Sequence, residues 1–220
     1  DARILEVGFG YGNFATWASR QVPQGAVLAV DIDPNMLEWV QQNYALAEFP
    51  NLEFRLGDAL TLDFEAEPFD YPMSNACLHY LDHPGMGFEA MARHLKPGGR
   101  FCMVCLGFGN LRDLHKAFEK VMREHPWAQH FRDFKPKKHL ADGASCEPWL
   151  KRAGLLKKQA RLHNEVMTFP DPVSLQQWVN SSFGNYFDCL PGLYRPQFSD
   201  TVIETYCRRF GPGQPVKAYR

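Results

Sequence analysis

The most constraining feature of the chain is its start: residues 4–13, Ile-Leu-Glu-Val-Gly-Phe-Gly-Tyr-Gly-Asn, run a short apolar stretch straight into a glycine-rich turn. Phe14, Trp17 and Ala18 then follow at helical spacing. A strand delivered through a tight turn into a helix opens a parallel α/β unit, because the helix must carry the chain back before the next strand can pair. The pattern continues for a hundred residues. Strands are expected at Ile4–Val7, Ala26–Val30, Leu52–Leu56, Phe69–Ser74 and Arg100–Leu106. Helices carry Leu37, Val40, Tyr44 and Ala47, then Phe88, Met91 and Leu95, at three- and four-residue steps. Asp33 before Pro34 supplies an N-cap and a favoured first-turn proline. Pro72 lies mid-strand, where a ladder donor is lost, so a bulge or unpaired position is expected there.

At about 150 residues per domain, 220 residues make roughly one and a half domains. No run of 18 apolar residues is present, and the first residues do not resemble a signal peptide. With 24 basic and 25 acidic side chains the net charge is −1, so no overall field attracts nucleic acid or an anionic membrane. Six cysteines are too sparse for a disulfide framework, which points to reduced thiols and a cytoplasmic protein. Cys102 and Cys105 fall in what reads as a buried strand, on opposite faces, so no metal site is expected.

The glycines at 8, 10 and 12 permit positive φ and a close approach of a ligand to the backbone. Their spacing is G-x-G-x-G, and Asn13 occupies the last slot of the dinucleotide fingerprint, which weakens a nicotinamide reading. Glu6 fits badly beside a pyrophosphate and well beside an ammonium group. Asp31 ends the second strand, where a carboxylate can accept two ribose hydroxyls. Asp58, in Gly-Asp-Ala after the third strand, suits an adenine amino group. Three acidic residues on successive strand ends would repel one another without a cationic ligand between them.

These segments, with Val-Asp-Ile-Asp-Pro-Asn-Met-Leu, Ser-Asn-Ala-Cys-Leu-His-Tyr and Leu-Lys-Pro-Gly-Gly-Arg-Phe, resemble the class I S-adenosylmethionine-dependent methyltransferases, in order, from Ile4 to about Leu106. The resemblance implies an α/β, Rossmann-like, doubly wound and mostly parallel seven-stranded sheet with a helical cap, and S-adenosyl-L-methionine as cofactor. By it, Glu6, Gly8, Gly10 and Gly12 hold the methionine part, Asp31 the ribose, Ile32 and Met36 the adenine faces, and Asp58 with Ala59 the adenine edge. Asn75 faces the sulfonium. Tyr11 stands where the family usually has a small threonine or serine, and is expected to narrow the cofactor mouth or touch the acceptor. The segment around His79 is similar to small-acid carboxyl methyltransferases of the trans-aconitate and juvenile hormone acid type, and to malonyl-carrier-protein methyltransferases.

The expected division is a cofactor-binding core over 1–106 and 145–168, a helical cap over 107–144 and 169–215, and the start of a final strand at 216–220. Thirteen of the 30 aromatics fall between Trp127 and Phe210. Trp178, Tyr186 and Tyr194 are expected to line an apolar acceptor pocket, the last two from non-helical chain, with Arg195 binding a substrate acid. His79 is the candidate catalytic residue, orienting the acceptor or taking its proton. The basic Lys135–Lys138 stretch is a secondary candidate for docking an acyl carrier protein.

The resulting expectation is carboxyl O-methylation of a small molecule with apolar surface. A carboxylate is already ionised at neutral pH and needs no general base. The alternatives are transfer to a carrier-bound acid or a small amine, a nucleotide-dependent oxidoreductase, and a non-catalytic binding subunit. The chain opens at Asp1 without Met and stops where a last strand would begin, so 220 residues are expected to be the ordered or processed part of a longer protein.

Overall fold

The computed structural model describes residues 1–61, 68–136, 140–211 and 216–219. In chain order its elements are β1 (Arg3–Val7), α1 (Asn13–Gln21), β2 (Ala26–Asp31), α2 (Pro34–Asn43), β3 (Leu52–Leu56), β4 (Tyr71–Asn75), α3 (Pro84–Arg93), β5 (Cys102–Val104) and α4 (Arg112–Met122). They continue with α5 (Glu147–Arg152), β6 (Asn164–Met167), α6 (Pro172–Ser182), α7 (Gly184–Phe187), α8 (Arg195–Phe210) and β7 (Val216–Tyr219). Two units result, Asp1–Leu106 with His139–Arg161, and Gly107–Lys138 with Leu162–Arg220.

In the first unit, β1 to β5 form one sheet in the order β3-β2-β1-β4-β5, every pair parallel. The strands alternate faces. Leu5, Val7, Leu28 and Val30 pack with Phe69, Leu78, Phe88 and Met91, while Ala29 packs with Phe9, Ala15 and Val40, and Ile4 and Val27 with Ala18. Burial on both faces is what a parallel sheet with helices on each side requires. The chain winds from β1 through β2 to β3, then crosses to the far side of β1 for β4. That reversal leaves a crevice at the carboxyl ends of β1 and β4, where open α/β sheets bind ligands.

The helix starts follow their local chemistry. Asp33 Oδ1 accepts the Asn35 N–H at 2.9 Å and Pro34 begins α2, while Asp171 Oδ1 accepts the Ser174 N–H at 2.7 Å and Pro172 begins α6. At Pro72 the second of the two expected outcomes holds, a missing donor without a bulge. The ladder runs Ile4–Tyr71, Leu5–Pro72, Glu6–Met73 without a slip, so the strand stays in register and lacks only the proline's donor.

Three other expectations change. The sheet has five strands among the described residues, not seven. The strand expected over 158–168 shrinks to β6, which pairs antiparallel with β7, Asn164 opposite Tyr219, in a separate two-stranded sheet of the second unit. Residues 162–168, expected with the core, therefore belong to the other unit; alternation marks a strand, but its partner is chosen by long-range packing. Lastly, β5 is a three-residue strand paired only with β4 among the described residues, and Cys102 on it is exposed, not buried.

The second unit is built on aromatics. Phe118 stacks on Phe183 with centroids 4.9 Å apart and lies 4.6 Å from Tyr186, and Phe131 stacks on Phe198 at 5.1 Å. Leu114, Val121, Leu175, Val179 and Val202 complete that core. Of the basic stretch between α4 and α5, residues 137–139 lie outside the described residues. Among the described residues no helix is long and apolar enough to cross a membrane.

Candidate functional site

The carboxyl ends of β1, β2, β3 and β4 bring most of the expected cofactor residues together in the first unit. Glu6 stands on β1 opposite Ala29 of β2 and Met73 of β4, in the middle of the sheet, and only 1% of it is exposed. Its Oε2 is buried without a hydrogen-bond partner among the described residues. Burial, reinforced by the Asp31 carboxylate and partly offset by the Ala15 backbone N–H, pushes the carboxyl up to about 8. An unpaired buried carboxylate oxygen costs roughly 1–3 kcal/mol or more. Such a group persists where a cationic partner is to be met.

The glycine turn is held by the neighbouring strand. The Gly8 N–H donates to the Val30 carbonyl at 2.7 Å, and the Gly10 N–H donates to Asp31 Oδ2 at 2.8 Å. Gly8 and Gly12 both have positive φ, and both are crowded. A Cβ on Gly8 would overlap Cys77 Cβ and Sγ, and one on Gly12 would come within 2.9 Å of the Phe54 ring and 3.0 Å of Val40. Side chains are thus excluded twice, by backbone conformation and by space. Gly10 has open space where its side chain would be.

Asp31 Oδ1 also accepts the Asp33 N–H at 3.0 Å, so each of its oxygens holds one backbone donor and keeps capacity for another. Ile32 beside it is 64% exposed and Met36 is half-buried on the first turn of α2. Asp58 is half-buried and its Oδ1 caps the next turn by accepting the Leu60 N–H at 2.8 Å; Ala59 is buried with Leu78 and Met91. Its neighbour Gly57 donates to the Asp31 carbonyl at 2.8 Å, which ties the ends of β2 and β3. Asn75 is exposed at the end of β4.

Tyr11 is 55% exposed, its ring edge-on to Trp39 at 4.9 Å, and the Tyr44 hydroxyl donates to its carbonyl at 3.1 Å. The phenol therefore stands at the rim of the glycine turn. His79, in the single turn Leu78–Tyr80 after β4, is 2% exposed with its ring 4.3 Å from that of Tyr80.

The other expected acceptor residues, Trp178, Tyr186, Tyr194 and Arg195, lie in the second unit. Tyr186 is 2% exposed inside the aromatic core, with its hydroxyl 3.2 Å from His115 Nδ1. It lies on the short helix α7 and not in irregular chain, and Tyr194 is likewise helical, in the turn Gly192–Tyr194. Trp178 packs on Phe169 at 5.4 Å and Phe183 at 5.9 Å. The exposed Arg195 donates from Nε to the Leu190 carbonyl at 3.2 Å and faces Asp188 at 3.7 Å.

Two neighbours of the site escaped sequence reasoning. Cys77 fills the space a Gly8 side chain would need, and burial together with the Asp31 and Glu6 carboxylates pushes its thiol up to about 11. Ala76, just before it, has a positive φ of 55°, a strained conformation for a residue with a Cβ. Both sit two residues or fewer beyond Asn75, and the signal was their place in the quoted Ser-Asn-Ala-Cys segment.

Comparison with known proteins agrees with this geometry. The Methyltransferase domain family matches residues 4–99, from β1 to the turn before β5. The malonyl-[acyl-carrier protein] O-methyltransferase of Paenibacillus sp. (strain JDR-2) is 25% identical over 96% of this chain and 76% of its own length. The trans-aconitate 2-methyltransferase of Methylobacterium nodulans is 28% identical over 70% of this chain and 57% of its own. A probable phthiotriol/phenolphthiotriol dimycocerosates methyltransferase 2 of Mycobacterium ulcerans is 34% identical, but over 45% of this chain and 37% of its own length, so the chain spans little more than a third of that relative. Among solved structures, the YcgJ protein of Bacillus subtilis has a TM-score of 0.65 at 19% identity, covering all of this chain and 88% of that one. The Haemonchus contortus phosphoethanolamine N-methyltransferase 2, solved with S-adenosylhomocysteine, has a TM-score of 0.56 at 19% identity, covering 99% of this chain and 48% of that one. With the sheet order, the crowded glycine turn and the orphaned Glu6 already in place, these matches assign a methyltransferase domain to residues 4–99 and make the chain similar to S-adenosylmethionine-dependent methyltransferases.

Proposed function

We propose that the protein methylates a small molecule at a carboxylate oxygen, with the carboxyl ends of β1 to β4 holding the cofactor. The observation that carries the cofactor assignment is the buried, unpartnered Glu6 Oε2 beside Asp31 and the glycine turn. The donor set fits the group chemically. Glu6 meets an ammonium, the turn accepts close approach at Gly10, Asp31 has lone pairs left for ribose hydroxyls, and Asp58 with Ile32 and Met36 flanks the place for adenine. When bound, S-adenosylmethionine supplies a methyl carbon already activated by its sulfonium charge.

The chain's own residues orient and desolvate. Aligning an acceptor with an electrophilic carbon can supply roughly 7–11 kcal/mol through effective molarity. Tyr11 at the rim of the turn, and Asn75 at the end of β4, are the side chains placed to do this in the first unit. His79 serves as a wall beneath Tyr80. An acceptor that arrives ionised needs no proton taken from it, which suits a site in which His79 is buried.

Carboxylate acceptors are favoured by two relatives, a malonyl-[acyl-carrier protein] O-methyltransferase and a trans-aconitate 2-methyltransferase. Match over 96% of the chain to the first makes a carrier-bound acid the second reading. The deciding experiment is mass spectrometry of methylation assays over small di- and tricarboxylic acids, malonyl-carrier protein and small amines. A methyl ester formed on a free acid supports the proposal. Product on amines alone, or on the carrier alone, rejects free-acid O-methylation.

A further inference from the structure

An open cavity of about 310 Å³ lies between α4 and α8 in the second unit, and none of the methyl-transfer chemistry uses it. Its rim carries Lys116 and Lys120 from α4 and Arg208 and Arg209 from α8, with a single carboxylate, Asp113. Its floor includes Tyr206 and Phe210. Among the described residues none of the four cations belongs to an ion pair, and all four side chains are exposed. Along the two helices the nearest acids outside the lining are Glu119, beside Lys120 on α4, and Glu204, one turn before Arg208 on α8; from Thr205 to Phe210 there is no Asp or Glu.

Packing accounts for this arrangement only at Arg209, whose guanidinium lies 5.2 Å from the Phe210 ring centroid. Lys116 and Lys120 are four residues apart on one helix, a like-charge spacing that destabilises by a few tenths of a kcal/mol. Cations in the last turn of α8 favour its dipole, which accounts for Arg208 and Arg209 in part and not for Lys116. Four cations and one carboxylate among the lining residues, over Tyr206 and Phe210, match a dianion that carries an apolar substituent. A phosphate monoester presents three acceptor oxygens for forked guanidinium and ammonium donors, whereas a single carboxylate leaves most of the charge unmet. The cavity volume is at the lower end of the range for small-ligand sites.

We propose that this cavity binds an organic phosphate, the phosphate between the Lys116–Lys120 pair and the Arg208–Arg209 pair and the organic part on Tyr206 and Phe210. This site is independent of the glycine turn, and its test does not require turnover. The full chain, isotopically labelled, is titrated with phenyl phosphate, inorganic phosphate and benzoate while backbone and side-chain resonances are followed. The expected result is saturable shifts confined to α4 and α8, with phenyl phosphate tighter than either other probe. Lys120→Gln with Arg209→Gln weakens it by about tenfold or more, the loss of two charge-assisted bonds, while Lys151→Gln has no effect. These exposed positions tolerate substitution, and unchanged binding of S-adenosylhomocysteine verifies the variant's fold. Shifts that do not saturate, spread over other basic residues, persist in the double variant or follow benzoate equally would overturn the proposal.

Discussion

The two units spend their difficult residues differently. The second unit hides large rings and gives its buried phenol a partner: Tyr186 reaches His115, and Phe118, Phe183 and Phe198 satisfy one another by contact. The first unit does the opposite at one edge of its sheet. There a carboxylate oxygen is buried unpaired, glycines hold a turn that no side chain fits, and Ala76 carries a positive φ. The second unit has exceptions too, Leu111 with a φ of 51° and the buried Trp127 Nε1, which has no hydrogen-bond partner among the described residues; the first unit differs in gathering its exceptions at one sheet edge, where a ligand can complete them.

The sharpest way to break the contrast is at Gly8. Gly8→Ala places a Cβ into Cys77 at a positive-φ position, and is expected to destabilise the first unit by about 2–4 kcal/mol and abolish S-adenosylhomocysteine binding, read by thermal melting and calorimetry. A variant that melts and binds like the parent would mean the turn is not constrained as described. Phe118→Ala should cost a similar roughly 3–5 kcal/mol by emptying the aromatic core, yet leave cofactor affinity of the folded protein unchanged. Equal loss of both would erase the distinction between the units.

Glu6 sharpens the contrast through pH. Its carboxyl is raised from an ordinary value of 4.5 to about 8, so the folded state retains a proton that the unfolded chain has released. Stability from this group is full below about 4.5 and is lost as pH rises toward 8, a change of a few kcal/mol by linkage. Glu6→Gln should flatten that slope in denaturant titrations. Conversely, pairing with a ligand ammonium requires the ionised form, so affinity for S-adenosylhomocysteine should rise roughly twentyfold between pH 6 and 7.5 in the parent and stay flat in Glu6→Gln. A parallel pH profile in the two would remove Glu6 from the site. The smallest effect belongs to Arg195: its ion pair with Asp188 is exposed and long, and Arg195→Gln should shift stability by less than about 1 kcal/mol.

What was legible in the sequence follows the same division. Glu6, the glycines, Asp31 and Asp58 could be placed because each stands at the end of a strand whose apolar run is local and whose order along the chain is the order of the sheet edge. β6 could not be placed, since Asn164–Met167 alternates equally well for any partner, and it is the long-range pairing with Val216–Tyr219 that decides. Tyr186 looked free for a pocket because Gly184–Phe187 is too short to show helical periodicity, and only the fold reveals that its ring is enclosed. Cys77 was invisible as a determinant because its role is steric, against a backbone atom nearly seventy residues away in sequence.

The central claim is that the carboxyl edge of the first unit's sheet is a built cofactor site, and calorimetric titration of the parent and Asp31→Ala with S-adenosylhomocysteine tests it most directly. The account predicts saturable one-to-one binding in the parent, weakened by about tenfold or more when Asp31 loses the carboxylate that holds Gly10 and is proposed to accept the ribose hydroxyls. No binding by the folded parent, or identical affinity in Asp31→Ala, would contradict it.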